Sequence, residues 1–142
     1  MNQAPRYVTY IVLAHLIVNI AHGLAHRALQ IGLTPLGSIF VLVVVLLSPL
    51  LAMALVWTSK KQFGLILLSA SMCAALIFGL YHHFIVVSPD HVHAQPNNAW
   101  GTTFVLTSYA LLITEAIGSY VGLHFLRRAP QSSKRAQREA AR

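Results

Sequence analysis

The feature that most constrains this chain is a series of four long apolar runs separated by short connections. About 20 mostly apolar residues are enough to cross the hydrocarbon of a bilayer as a helix. The runs occupy residues 7–27, 36–57, 63–87 and 100–126. In hydrocarbon the backbone polar groups must be satisfied internally, so runs of this kind are helical. The connections fit the division. Thr34 and Pro35 close the first, residues 58–62 (TSKKQ) form a polar turn, and residues 88–99 contain Pro89, Pro96 and the adjacent Asn97 and Asn98. Short connections make successive helices antiparallel neighbours. The expected fold is all-α, an integral membrane up-down four-helix bundle. Residues 1–128 form its single transmembrane domain and residues 129–142 a basic tail.

Composition supports a membrane chain and argues against the usual meaning of a basic one. Only 9% of the residues are charged, against about 25% in soluble domains. The net charge of +7 does not come from a basic face interleaved with aromatics, so nucleic acid is not an expected partner. Four spans place the N-terminus, the second connection and the C-terminus on one side. That side holds Arg6, Lys60, Lys61, Arg127, Arg128, Lys134, Arg135, Arg138 and Arg142, leaving only Arg27 of the ten basic residues opposite. Positive residues favour the cytoplasm, so both termini are expected there, in a plasma membrane of the bacterial inner-membrane type. A cleaved signal peptide fits poorly, because the first run is long and its second half is rich in histidine. The tail is expected to act as a solvated topology anchor. Attraction to anionic headgroups is its alternative role, worth about 1 kcal/mol per basic residue. Cys73 is the single cysteine, which excludes an internal disulfide, a CxxC redox pair and a cysteine-rich zinc site.

Against this apolar background the stretch AHLIVNIAHGLAH, residues 14–26, is out of place. Ionisable residues inside a membrane usually face the bundle interior and have a partner or a task. At about 100 degrees per residue, Asn19, His22 and His26 fall within about 40 degrees of His15. They form one stripe, which Gln30 would extend if the helix continued. The first and third helices run in the same direction, so His82 and His83 lie at a depth similar to His22 and His26. Only one of these two neighbours is expected to point inward. Asp90, His91 and His93 follow in the next connection, so six of the eight histidines gather toward one end of the bundle. His22 and His26, spaced i and i+4, can reach one ion from a single helix face. His91 and His93 can do so from extended chain. Imidazole suits zinc, copper and iron alike. His124, near the other end, reads as structural.

Glu115 is the only carboxylate within a run and lies at about the depth of His15. In an up-down bundle the first and fourth helices can be neighbours. His15, Asn19 and Glu115 are therefore expected to form a buried polar pair or a proton relay, with Ser108 and Ser119 near enough on the helix to satisfy the acid. Gly118 and Gly122 have the GxxxG spacing that permits close helix approach, within the chain or to a partner. Pro49 interrupts the second run and should kink it.

The reading that gathers most of these residues is a small membrane metalloprotein with a transition-metal site facing outward. Its ligands are drawn from His22, His26, His82, His83, His91 and His93, with Asp90 as ligand or support. The pattern fits handling of the metal and use of it in catalysis alike. The second reading is a single-haem b-type electron-transfer protein, with His22 opposite His82 or His83 and room for the macrocycle beside Gly23 and Gly79. In architecture the chain is similar to four-helix membrane proteins carrying haem b. His15 lies only two turns below His22, too close for a second haem. The third reading is a non-enzymatic subunit or assembly factor, forming a homo-oligomer or a membrane complex through Gly118 and Gly122. No Ser-His-Asp spacing, P-loop or dinucleotide glycine pattern is present.

Overall fold

The computed structural model describes residues 3–140, with side chains over residues 3–128. Four long helices account for most of the described residues, which contain no strand. They are α1 (Ala4–Ala28), α2 (Pro35–Val56), α3 (Lys61–Ile85) and α4 (Ala99–Ala140). The spans of 25, 22, 25 and 30 residues are each long and apolar enough to cross a membrane. The backbone of α4 runs on through most of the basic tail. The anchoring role expected of Lys134, Arg135, Arg138 and Arg142 falls on side chains outside the described residues.

The helix ends follow from local chemistry. Pro5 stands in the first turn of α1, where its missing N–H costs nothing. The helix stops at Gln30, which adopts φ 57 while the N–H of Ile31 returns to the carbonyl of His26. Gln30 therefore does not extend the histidine stripe; it makes the left-handed turn that ends it. Thr34 caps α2, its hydroxyl accepting from the N–H of Gly37, and Pro35 takes the first helical position. The proline in mid-α2 is absorbed by a widened turn. Residues Val41–Leu47 are π-helical, and both the N–H and the hydroxyl of Ser48 donate to the carbonyl of Val43.

Each helix presents a seam spaced alternately three and four residues apart, the repeat of bundle packing. On α4 the seam is Gly101, Phe104, Ser108, Leu111, Glu115, Gly118 and Gly122, all buried. On α3 it is Leu65, Leu68, Met72 and Ala75, continuing through Gly79 to His83. The helices contact in the cyclic order α1–α2–α3–α4, with α4 closing back on α1, so the first and fourth are neighbours. Gly118 and Gly122 are spent on an internal contact. A Cβ on Gly118 would lie 2.9 Å from the Met72 side chain, and one on Gly122 would lie 2.9 Å from the Leu65 carbonyl and overlap Ser69.

Two apolar clusters bracket the middle of the bundle. Val8, Val12, Ala52, Val56, Leu65, Leu68 and Met72 close the end that carries the termini. Ala25, Val92 and Phe104 close the other, where the connection 86–98 folds inward and Val92 sits in a short 3-10 turn, Val92–Ala94. The outer face is apolar throughout, with Tyr10, Ile17, Leu36, Leu106 and Ile113 at least 60% exposed. An apolar exterior of this kind suits helices long and apolar enough to cross a membrane. The polar side chains of interest lie between the two clusters.

Candidate metal centre

His22 and His26 lie one turn apart on the buried face of α1, and His83 reaches them from the last turn of α3. Each offers one ring nitrogen, and the three nitrogens lie within 4.8 Å of one another. The rings pack against a single aromatic side chain, Phe104, with centroids 4.8, 5.1 and 5.4 Å away. The end of α3 widens as the end of the α2 π-segment does: Tyr81–Ile85 is π-helical, and the N–H of Val86 bonds to Tyr81. His83 continues the seam of Met72, Ala75 and Gly79, whereas His82 turns outward to pack on Phe78 and Tyr81.

The hydrogen-bond partners assign the tautomers. The Nδ1 of His26 lies 3.2 Å from the Ile31 carbonyl, and the Nδ1 of His83 lies 3.0 Å from the Asp90 carbonyl. A carbonyl can only accept, so both Nδ1 atoms carry their proton. The Nδ1 of His22 lies 2.9 Å from the hydroxyl of Thr107. That hydroxyl already donates within its own helix, to Thr103 at 2.7 Å and Phe104 at 3.0 Å, so it accepts from His22. In the neutral rings this leaves the lone pair on Nε2.

The Nε2 atoms of His22 and His26 are 3.1 Å apart. Two nitrogens held about 2.0–2.1 Å from one tetrahedral metal ion are about 3.3–3.4 Å apart, so the pair has the spacing of shared ligands. Asp90 Oδ1 stands 3.2 Å from the Nε2 of His26 and 3.3 Å from the Nδ1 of His83. Both Asp90 side-chain oxygens are buried and lack a well-directed hydrogen bond. The spacing of the rings suits a proton shared between them, and it is also one in which the three histidines could hold a metal ion.

A second polar group lies one to two turns deeper. The Nε2 of His15 is 3.4 Å from Glu115 Oε1 and 3.0 Å from the amide of Asn19, which also donates to the His15 carbonyl. Both His15 and Glu115 are buried. The expected help from serines is not given to the acid. Ser108 donates to the carbonyl of Phe104, while Ser119 Oγ and Glu115 Oε2 are buried without hydrogen-bond partners.

The remaining predicted residues stay apart from the cluster. His91 donates from Nε2 to the Phe84 carbonyl at 3.3 Å and accepts the His93 N–H on Nδ1, which shapes the connection. His93 is exposed. His124 packs between Tyr120 and Phe125 at the opposite end. Among the described residues, only His22, His26 and His83 form a group of three or more side chains with metal-ligand spacing. A haem between His22 and His83 finds no support, since those rings touch edge to face with centroids 4.9 Å apart. Two supporting residues have no mark in the sequence analysis, Thr107 and Phe104. Phe104 could have been found from the 3-4 spacing that links it to Ser108, Leu111 and Glu115.

No protein-family model, curated protein or solved structure matches the chain.

Proposed function

We propose that this is a membrane metalloprotein whose bundle holds one transition-metal ion on the Nε2 atoms of His22, His26 and His83. Asp90 is its fourth ligand or its adjacent counter-charge. The observation that carries the reading is the clustering of three imidazoles, each offering a ring nitrogen within 4.8 Å of the others and each with its Nδ1 against a separate partner. Ligating histidines are oriented in this way by a hydrogen bond on the other ring nitrogen. A divalent ion also compensates Asp90, whose burial without a counter-charge would be costly. The charge pattern of the connections supports an outward-facing metal end, with both termini in the cytoplasm. Three imidazoles and a carboxylate suit zinc, copper or iron(II). The apolar cluster at the terminus end gives the ion no polar route through the bundle, which favours use or holding of the metal over its transport.

The test is the metal content of the untagged, detergent-purified chain and of two variants. The wild type should carry close to one transition-metal ion per chain, and His22→Ala and His83→Ala should each lose it. A wild type that binds no zinc, copper or iron after reconstitution overturns the proposal.

A further inference from the structure

The three histidines form one side of a cavity of about 300 Å³ that also reaches Asn19, Gly79 and Glu115. Two features of it are unusual. Glu115 is 3% exposed, yet its Oε2 has no hydrogen-bond partner among the surrounding side chains. It also lies close to the metal ligands. A Cβ on Gly79 would be 3.7 Å from Glu115 Oε2 and 3.9 Å from Cδ2 of His83, the carbon next to that ring's Nε2. The carboxylate oxygen and the ligand ring are therefore less than about 8 Å apart, both beside the Cβ position of Gly79, with Leu112 Cδ2 equally near it.

The other walls are mostly apolar, with Val41, Val45, Leu46 and Phe78 beside Ser38 and Ser108. The apolar clusters lie at the two ends of the bundle, and the cavity between them reaches the α1–α2 connection at Ile31 and Leu33 and the space between α1 and α2. α1 packs on the inner half of α2 (Ser48–Val56), while the outer half of α2 is held mainly by α3. The cavity occupies the gap where α1 and α2 diverge. Gly23 stands on its rim, exposed, with nothing within 4 Å of the position a Cβ would take.

We infer that the cavity is a binding chamber for an amphipathic, single-chain acyl amide or a close relative, entering from the bilayer between α1 and α2. With Asp90 as counter-charge, its carbonyl oxygen takes the position on the metal left by the three imidazoles, its N–H or O–H donates to Glu115 Oε2, and its hydrocarbon lies along α2. The inference rests on the metal-site reading and names the ligand class of that site. The polar pair of metal and carboxylate selects a head group with an acceptor and a donor a few ångströms apart. The apolar wall selects a chain attached to it. A volume of this size lies at the lower end of the range for small-molecule sites, enough for a head group and part of a chain.

Hydroxamates carry the same acceptor and donor and ligate metals, which makes them direct probes. The full chain is loaded with cobalt(II) in lipid nanodiscs, and its visible absorption is followed during titration with acetohydroxamate and with octanohydroxamate. Each buried methylene is worth about fourfold in affinity. Even partial burial of the longer chain should therefore favour octanohydroxamate by tenfold or more in the wild type. Gly79→Leu fills the chamber and Gly23→Leu narrows its rim. Both should keep one cobalt per chain and lose most of this preference, whereas Glu115→Gln should weaken both probes. Partition of octanohydroxamate into lipid is the same for every variant. An equal chain-length preference in the wild type and both glycine variants would mean bulk partition and a chamber that holds only water, and would overturn the inference with the metal site intact. Failure of the wild type to bind cobalt would overturn the metal reading and the inference together.

Discussion

Thr107 shows how much of the proposed centre rests on atoms that never touch the ion. Its hydroxyl proton is committed to the carbonyls of Thr103 and Phe104, so its oxygen fixes the proton of His22 on Nδ1 and turns the lone pair of Nε2 toward His26. Removing such a partner typically costs about 10–100-fold in metal affinity. Thr107→Val, which keeps the shape and loses the hydroxyl, should weaken metal binding in that range in a competition titration with a chelator. His82→Ala, which removes a ring packed on Phe78 and Tyr81, should leave the affinity unchanged. Equal losses from both variants would mean that the tautomer assignment is not what orients His22. At this scale the sequence was partly legible. The i, i+4 spacing put His22 and His26 on one face, and helical geometry required that only one of His82 and His83 point inward. Nothing in residue order marked Thr107 or the carbonyls of Ile31 and Asp90, because those partners arise where elements meet.

At the scale of elements, α4 organises the interior. Its seam contributes Phe104 against the three imidazoles, Glu115 opposite His15, and two glycines against α3. A tight helix approach occurs at Gly122, where an added Cβ would overlap Ser69 and press on the Leu65 carbonyl. Overpacking of a tight contact costs about 1–3 kcal/mol. Gly122→Ala should therefore lower the thermal unfolding midpoint in detergent, whereas Gly32→Ala, where a Cβ meets nothing within 4 Å, should not. A Gly122→Ala protein as stable as the wild type would place the α3–α4 contact elsewhere. The GxxxG spacing was visible in the sequence, but the face it would meet was not. The four runs were legible to within a few residues, because length and apolarity decide them. The π-helical turns at Val41–Leu47 and Tyr81–Ile85 were not, since they record how a proline and a helix end are accommodated by neighbouring helices.

For the whole molecule, the arrangement is a polar interior held between two apolar plugs in a bundle with an apolar exterior. The cyclic order of helices brings α1 beside α4, as short antiparallel connections require, and this joins His15 to Glu115 across one hundred residues of chain. The inward fold of the connection 86–98 delivers Asp90 to His26 and His83, and no periodicity in the sequence announced it. The proposed ion would join three parts of the chain: α1, α3 and this connection. The central claim is that three imidazoles from α1 and α3 hold one metal ion, and the most direct measurement is X-ray absorption at the edge of the metal bound to the untagged wild-type chain. The account predicts a first shell of nitrogen and oxygen neighbours with the multiple-scattering signature of three imidazoles, at about 2.0–2.1 Å if the ion is zinc. A shell with sulfur, or with oxygen neighbours and no imidazole signature, would contradict it.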